Sequence, residues 1–316
     1  MDLRPQAHDI IRTWLFATIV RADAEQGTLP WSHTAISGWI LDPERKKLSK
    51  SKSNSAVTPK ALLDRFGADA VRYWACSARL GVDTAFDVND PAQIKIGRRL
   101  AVKLLNASKF VLGTGVSRAA GAVADPLDAA LLAELRGVVA EATAAYDDDN
   151  YALALERSER FFWSFCDDYL ELVKARAYGE HGDADSARSA LSTALSVLLR
   201  LFAPALPFVT EEAWSWWQDG SVHHAGWPLS TDLPAGDTAV VRLAADTIAA
   251  VRKAKSDAKL SMRADVPSLR VVGRAAEIDR LRSVAADLKA AGRVGEIDFV
   301  VDESADGVRH EVVLDA

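Results

Sequence analysis

Residues 92 to 217 carry an almost unbroken helical pattern, which strongly constrains how the chain can fold. Apolar residues recur every three or four positions over about 92–112, 126–146, 150–178, 184–203 and 208–217, with short connections and alanine-rich interiors. Helices of this length joined by short loops pack as antiparallel neighbours that bury their apolar stripes against one another. The sequence therefore predicts a mainly α fold built around an antiparallel helical bundle.

Shorter elements precede the bundle. The spacing of apolar residues predicts a helix over 4–22, a short buried strand over 34–41 and a polar loop over 42–59. Two short helices follow, one that begins after the N-cap residue Thr58 and one over 68–79. Helix and strand patterns are thus mixed in this part of the chain.

Helix and strand patterns alternate again after the bundle. A connector rich in glycine and proline occupies 219–236. Beyond it the sequence predicts helices over 237–258 and 275–291 and strands over 266–273, 295–301 and 308–314. This order indicates a small α/β unit.

Composition excludes several classes of protein. Hydrophobic residues make up 49% and charged residues 26% of the chain, which is typical of a globular protein and not of a disordered one. The two cysteines, Cys76 and Cys166, are too few and too far apart for a disulfide framework or a zinc site, which favours a reducing, cytoplasmic setting. No apolar run is long enough to span a bilayer, and residues 2–9 are too polar for a signal peptide.

The net charge of −6 hides a gradient along the chain. Residues 1–110 hold 17 Lys and Arg against 11 Asp and Glu, whereas residues 111–230 hold 8 against 18. An acidic total therefore does not exclude a nucleotide or nucleic acid partner for the first third of the chain. The acidic middle region, which includes Asp147 to Asp149, is expected to face solvent instead.

The most concentrated positive charge follows the strand predicted over 34–41. Residues 45–52 (RKKLSKSK) place five cations and two hydroxyls in eight positions without an acid. Ammonium groups on flexible stems, serine hydroxyls and backbone amides together can wrap a polyphosphate. Composition alone favours a plainer interpretation, a solvated charged loop or a localisation-like basic patch.

The string Lys47-Leu48-Ser49-Lys50-Ser51 is similar to the Lys-Met-Ser-Lys-Ser signature of class I aminoacyl-tRNA synthetases. Leu48 replaces the usual methionine with a side chain of similar volume, and Ser53 replaces the usual glycine. Further stretches resemble valyl-type members of this family and follow the family order: 2–16, 64–87, 162–178, 199–214 and 221–228. Their shared order supports the resemblance more strongly than the signature alone.

The resemblance implies the C-terminal portion of a valine–tRNA ligase. Its parts would be the end of a Rossmann-like catalytic domain at 1–58, junction helices at 59–91, an anticodon-binding bundle at 92–230 and a small α/β domain at 231–316. It implies ATP, accompanied by Mg, and valine-specific tRNA as partners, with no metal site in this chain. The family's other ATP signature, its editing domain and most of its amino-acid pocket would lie upstream, so the chain alone is predicted not to aminoacylate tRNA.

The resemblance also assigns roles to single residues. The ATP-binding residues would be Lys47, Leu48, Ser49, Lys50 and Ser51, and Lys50, supported by Lys47, would act catalytically by stabilising charge on the leaving pyrophosphate. Two alternatives stay open. One is a stand-alone tRNA-binding or regulatory paralogue without aminoacylation activity, and the other is an isoleucyl-type relative.

One predicted helix, near 95–111, carries a basic face. Six polar residues fall within an arc of about 140° on a helical projection, and apolar residues occupy the opposite side. The six are Lys95, Arg98, Arg99, Lys103, Asn106 and Lys109. In isolation a solvated bundle face explains them equally well, but within an anticodon-binding bundle we expect them, together with Lys52, to bind tRNA.

Two further groups of residues have an ordinary structural interpretation. Trp214, Trp216 and Trp217 are expected to close the bundle core and not to stack on bases. His223 and His224 resemble a metal-binding pair only superficially, and loop packing explains them better.

A second basic stretch lies in the α/β unit. Five cations occur within 252–263, opposed only by Asp257, and 251–255 is similar to a helix that follows the anticodon-binding domain in valyl enzymes. The final strands show no heptad pattern, so any contact with the tRNA elbow is expected from this unit.

Overall fold

The structure, a computed structural model, describes residues 1–47, 58–87, 89–118 and 121–314. It is mainly helical, as predicted, and divides into two compact units. The first comprises Met1–Leu104, Ala142–Glu156 and Phe202–Thr210, and the second comprises Leu105–Glu141, Arg157–Leu201 and Glu211–Ala316. In the described ranges no helix combines the length and the apolar character that crossing a membrane requires.

Short strands and helices make up the amino-terminal part of the first unit. They are β1 (Leu3–Ala7), α1 (Phe16–Gln26), β2 (His33–Ser37), β3 (Ile40–Leu41), α2 (Pro59–Phe66), α3 (Ala68–Ser77) and β4 (Thr84–Ala85). Strand β1 pairs with β2 and β3 pairs with β4, both in parallel. The predicted cap is present, because the Ala61 amide donates to Thr58 Oγ1 at 3.3 Å.

Two predictions for this region were partly wrong. The expected helix over 4–22 begins as strand β1, followed by 3₁₀ and π turns at His8–Ile10 and Ile11–Leu15, before α1. The backbone of β1 pairs with residues about thirty positions later, which a local periodicity cannot reveal. The expected buried strand over 34–41 is half-exposed and is interrupted at Gly38, where a β-carbon would collide with the Val82 carbonyl oxygen.

Helical segments follow, in the order that the sequence predicts. They are α4 (Ala92–Gly113), α5 (Pro126–Asp147), α6 (Tyr151–Ser164), a π turn (Phe165–Tyr169), α7 (Leu170–Ala177), α8 (Ala184–Phe202) and α9 (Pro207–Ser215). Helix α5 buries Leu127, Leu131, Leu135 and Val139 along one face. The predicted helix over 150–178 is continuous but contains the π turn, which shifts the register of its side chains.

The α/β region of the second unit contains three helices and a three-stranded sheet. Its elements are α10 (Ala239–Asp257), β5 (Val266–Gly273), α11 (Ala275–Ser283), α12 (Ala285–Gly292), β6 (Val294–Val301) and β7 (Arg309–Val313). The strand order is β6-β5-β7, with β6 parallel and β7 antiparallel to β5. The single helix predicted over 275–291 is two helices, because the backbone breaks at Val284 with φ −120° and ψ 17°.

Candidate functional site

The basic loop starts from a tight turn after β3. Asp42 closes this turn, since its Oδ1 accepts from the Lys46 amide at 2.8 Å and its carbonyl accepts from the Arg45 amide at 2.9 Å. Arg45 adopts a positive φ of 62° within the turn. Lys47 then forms an antiparallel bridge with Leu41. The turn therefore fixes the direction in which the chain leaves β3.

Lys47 lies in a small cluster with residues from the start of the chain. Its Nζ is 2.5 Å from Asp9 Oδ2 and 5.2 Å from the centre of the Trp39 ring. The same ring lies 4.4 Å from the His8 ring, whose Nδ1 is 3.1 Å from the Ser37 carbonyl oxygen. The hydrogen bond from Lys47 lowers the pKa of Asp9, so this carboxylate stays ionised beside the lysine.

The remaining residues of the predicted ATP site, Leu48, Ser49, Lys50 and Ser51, lie outside the described residues, as does Lys52. Only Lys47 of that set is therefore placed by the structure. For Lys47 and these five residues the assigned roles stay predictions.

The six predicted tRNA-binding residues of α4 lie along one side of the helix. All are exposed except Lys103, which is half-buried. On the opposite side Leu100, Leu104 and Val111 are fully buried. The helix therefore has the basic face and the apolar face that its sequence predicts.

Several side chains on this face have partners that hold them in place. Lys95 Nζ is 2.7 Å from Asp90 Oδ1, and Arg98 Nη1 donates to the Arg65 carbonyl at 3.2 Å. Lys109 Nζ lies 5.7 Å from the centre of the Trp216 ring. Such exposed contacts contribute little free energy, so a phosphate can replace them at low cost.

Two of the three clustered tryptophans lie in the core as expected. Trp214 and Trp217 are buried and meet edge to face with their ring centres 6.5 Å apart. Trp216 is instead 37% exposed, and its Nε1 donates to Glu212 Oε1 at 3.0 Å. His223 and His224 are exposed, and in the described part of the chain no group of three or more His, Cys, Asp or Glu could hold a metal ion.

Sequence reasoning missed a buried ionic network in the second unit. The guanidinium of Arg176, 2% exposed, binds both oxygens of Asp128 at 2.7 and 2.8 Å. It also donates to both oxygens of Asp287 at 3.0 and 3.1 Å. Tyr169 and Ser186 complete the shell of Asp128, each with a hydroxyl 2.7 Å from the carboxylate. The network links helices α5, α7 and α8 to α12.

Carboxyl groups outnumber guanidinium groups in this network. Asp125 lies 3.5 Å from Arg176, so three carboxylates surround one guanidinium. Burial raises the pKa values of Asp287 and Asp125, although Arg176 opposes both shifts. Burial and the adjacent Asp128 also raise the pKa of Tyr169, which keeps its hydroxyl as a donor. The sequence carried no signal for this cluster, because its members are far apart along the chain.

Comparison with known proteins identifies the group to which these features belong. Residues 1–87 match the sequence family of tRNA synthetases class I (I, L, M and V), and residues 128–272 match the anticodon-binding domain of tRNA ligase. The chain belongs to the class I tRNA synthetases. Within this class it is similar to proteins named valine–tRNA ligase, which agrees with the valyl-type stretches in its sequence.

The similarity to these ligases extends over nearly all of the chain. It is 57% identical to the valine–tRNA ligase of Thermobifida fusca over 97% of its length, and 54% identical to that of Salinispora tropica over 94%. The Leifsonia xyli ligase is 52% identical over 99%. The chain spans just over a third of the length of these relatives, 35%, 37% and 37% respectively.

A solved structure supports the fold of this class I chain. The Agrobacterium radiobacter K84 agnB2 LeuRS, in a ternary complex with tRNA and LeuAMS, aligns with a TM-score of 0.56 and 19% identity. The alignment covers 73% of this chain and 29% of the LeuRS chain. At this identity the likeness concerns the fold alone, which is the mainly helical fold that the sequence predicts.

Proposed function

We propose that this chain is the tRNA-binding, C-terminal part of a valine–tRNA ligase and also supplies its ATP-phosphate loop. The names of its relatives support the reaction, which is the ATP-dependent attachment of valine to tRNA. The observation that carries the proposal is helix α4, whose cationic face lies opposite a fully buried apolar stripe. Such a face is suited to the phosphates of an RNA backbone.

The ATP loop would act on amino-acid activation by electrostatics. Lys50, supported by Lys47, would face the polyphosphate and stabilise the negative charge that grows on the leaving pyrophosphate. Mg bound with ATP would neutralise further phosphate charge, and no residue of this chain is assigned to it. Lys47 is paired with Asp9, and this ion pair holds its ammonium group in place.

The four segments predicted from the sequence fit this division of labour. We propose that 1–58 completes the nucleotide-binding domain, 59–91 connects it to the bundle, 92–230 binds the anticodon arm and 231–316 adds a small α/β domain. We also propose that the tRNA is the one specific for valine and that the ligase acts in the cytoplasm.

Charge reversal on α4 tests the tRNA surface. We expect Arg99→Glu with Lys103→Glu to weaken binding of valine tRNA by roughly tenfold or more, since each lost phosphate contact removes a charge-assisted hydrogen bond. The slope of log affinity against log salt should also become shallower by about 0.7–0.9 per contact. Filter binding at salt concentrations from about 50 to 200 mM measures both quantities.

Arg282→Glu on α11 is the matched control. Arg282 is an exposed arginine with an acidic partner of its own, Asp279, at 3.1 Å, and it lies outside α4. We expect this variant to bind valine tRNA almost as the unaltered chain does. If neither filter binding nor gel shift detects valine tRNA at low salt, the proposal is overturned.

A further inference from the structure

The carboxyl ends of α10 and α12 meet at one buried lysine. Lys255 is only 2% exposed, and its Nζ donates to the carbonyl of Gly292, the last residue of α12, at 2.9 Å. The same Nζ donates to the Met262 carbonyl at 3.2 Å. A buried ammonium that binds a helix end and a loop carbonyl satisfies backbone acceptors and complements the helix dipole. Lys255 therefore fixes the loop 258–263, here named the α10 loop.

The first turn of the α10 loop places a lysine where glycine is usual. The Leu260 amide donates to the Lys255 carbonyl at 2.8 Å and the Lys259 amide to the Ser256 carbonyl at 2.9 Å, the hydrogen bonds of a Schellman motif. Lys259 takes the left-handed position of this motif with φ 57°. A β-carbon is disfavoured in that conformation, so folding alone would be served better by glycine. Lys259 therefore keeps an ammonium at a position where glycine would be less strained.

The α10 loop and the end of α10 present positive charge to solvent. Lys253, Lys259 and Arg263 are all exposed, and the structure gives none of the three an ion pair within the described residues. The nearby Asp265 is already bound to Arg293 at 2.7 Å. Apolar atoms lie between the cations, because Leu260 is 36% and Met262 50% exposed. The cations can bind the anionic groups of a polyanion, and the apolar side chains between them can contact its flat, less polar surfaces.

We propose that the α10 loop is a second contact surface for the tRNA, with Lys253, Lys259 and Arg263 on backbone phosphates. This inference rests on the proposed function and adds a surface to the one on α4. The loop lies within residues 128–272, the part that matches the anticodon-binding domain. Leu260 and Met262 lie where they can pack against sugar or base faces next to the bound phosphates.

The outer face of the neighbouring sheet limits where RNA can bind. Arg270 on β5 is flanked there by Asp298 of β6 and Glu311 of β7. Glu296 adds a third exposed carboxylate and Arg309 a second exposed cation. With three carboxylates against two guanidinium groups, this face is a poorer surface for phosphate than the α10 loop. We therefore assign the contact to the end of the unit at which Lys255 holds the α10 loop.

Lys259→Gly separates binding from folding. The substitution removes the ammonium and also relieves the left-handed strain, so the melting temperature of the chain should not fall. Valine tRNA should bind several-fold more weakly, and the salt slope of its binding should become shallower by about 0.7–0.9. We expect the same shift for Arg263→Gln, whereas Lys259→Arg should retain the affinity and the slope of the unaltered chain.

Arg242→Gln provides the matched control on α10. Arg242 is exposed and lies 11 residues before Lys253, about three helical turns away. Its neutralisation should leave the salt slope unchanged. If Lys259→Gly and Arg263→Gln bind tRNA as the unaltered chain does, the inference is wrong, although the α4 reversal can still support the proposed function. If the unaltered chain binds no tRNA, both are overturned.

Discussion

Arg176 is a buried charged residue that connects several helices of the second unit. It is fully buried and binds Asp128 and Asp287 through paired hydrogen bonds in the planar geometry that guanidinium favours. Burial lowers its pKa, but the hydrogen bonds to both carboxylates outweigh that effect and raise the pKa above the ordinary value. Arg176 therefore stays charged and holds buried carboxylates together.

Removal of this guanidinium should destabilise the chain strongly. In Arg176→Ala at least two buried carboxylates lose their cation, so we expect the free energy of unfolding to fall by about 3–5 kcal/mol. The exposed pair of Arg282 with Asp279 has similar chemistry, and Arg282→Ala should cost less than about 1 kcal/mol. Urea unfolding of both variants at neutral pH measures the difference. Equal losses would show that the network is energetically unimportant.

At the scale of elements, the sequence correctly predicted the helices and strands that a local pattern of residues determines. Strand β5 was predicted over the residues that it occupies, and α10 to within two residues at its start, because alternation and helical spacing are properties of neighbouring residues. Strand β1 was missed because its pairing partner is β2. The basic face of α4 was predictable for the same local reason, whereas the partners of Arg176 were not, since Asp287 lies 111 residues away.

A histidine connects two elements of the α/β region and should make their stability depend on pH. His310 on β7 has its Nε2 2.9 Å from Thr247 Oγ1 on α10, and the Thr247 hydroxyl donates to the Leu243 carbonyl at 2.8 Å. The Thr247 oxygen is therefore the acceptor, and His310 Nε2 carries the proton. Burial lowers the pKa of His310, although the nearby Asp246 opposes this effect. The folded state thus favours the neutral ring.

The lowered pKa of His310 fixes the sign of the pH effect. Between the ordinary pKa of about 6.5 and the lower folded value, the unfolded chain binds a proton that the folded chain does not. The contribution of His310 is therefore fully present above a pH of about 6.5 and is lost as pH falls through the folded pKa. His310→Gln should flatten this part of the stability profile. Urea midpoints measured from mildly alkaline to mildly acidic pH test it, and parallel profiles would contradict it.

At the scale of the whole molecule, the net charge of −6 is the sum of separate basic and acidic regions. Cations are concentrated in the first 110 residues and in the α10 loop, while the middle of the chain and the outer face of the sheet are acidic. An anionic ligand therefore meets local positive surfaces on a chain that is negative in total. The acidic surfaces also disfavour contact with RNA at other places, which restricts how a tRNA can bind.

The role proposed for the ATP loop can be tested in a full-length valine–tRNA ligase that contains this chain. There we expect Lys50→Ala to lower kcat of valine-dependent ATP–pyrophosphate exchange on the order of 10²–10³-fold, because it removes a charge that stabilises the transition state. The KM for ATP should change much less, since ground-state binding has other contacts. Lys46→Ala is the control, because Lys46 is exposed and paired with Glu44 at 2.5 Å. Unchanged exchange kinetics in Lys50→Ala would refute the assignment.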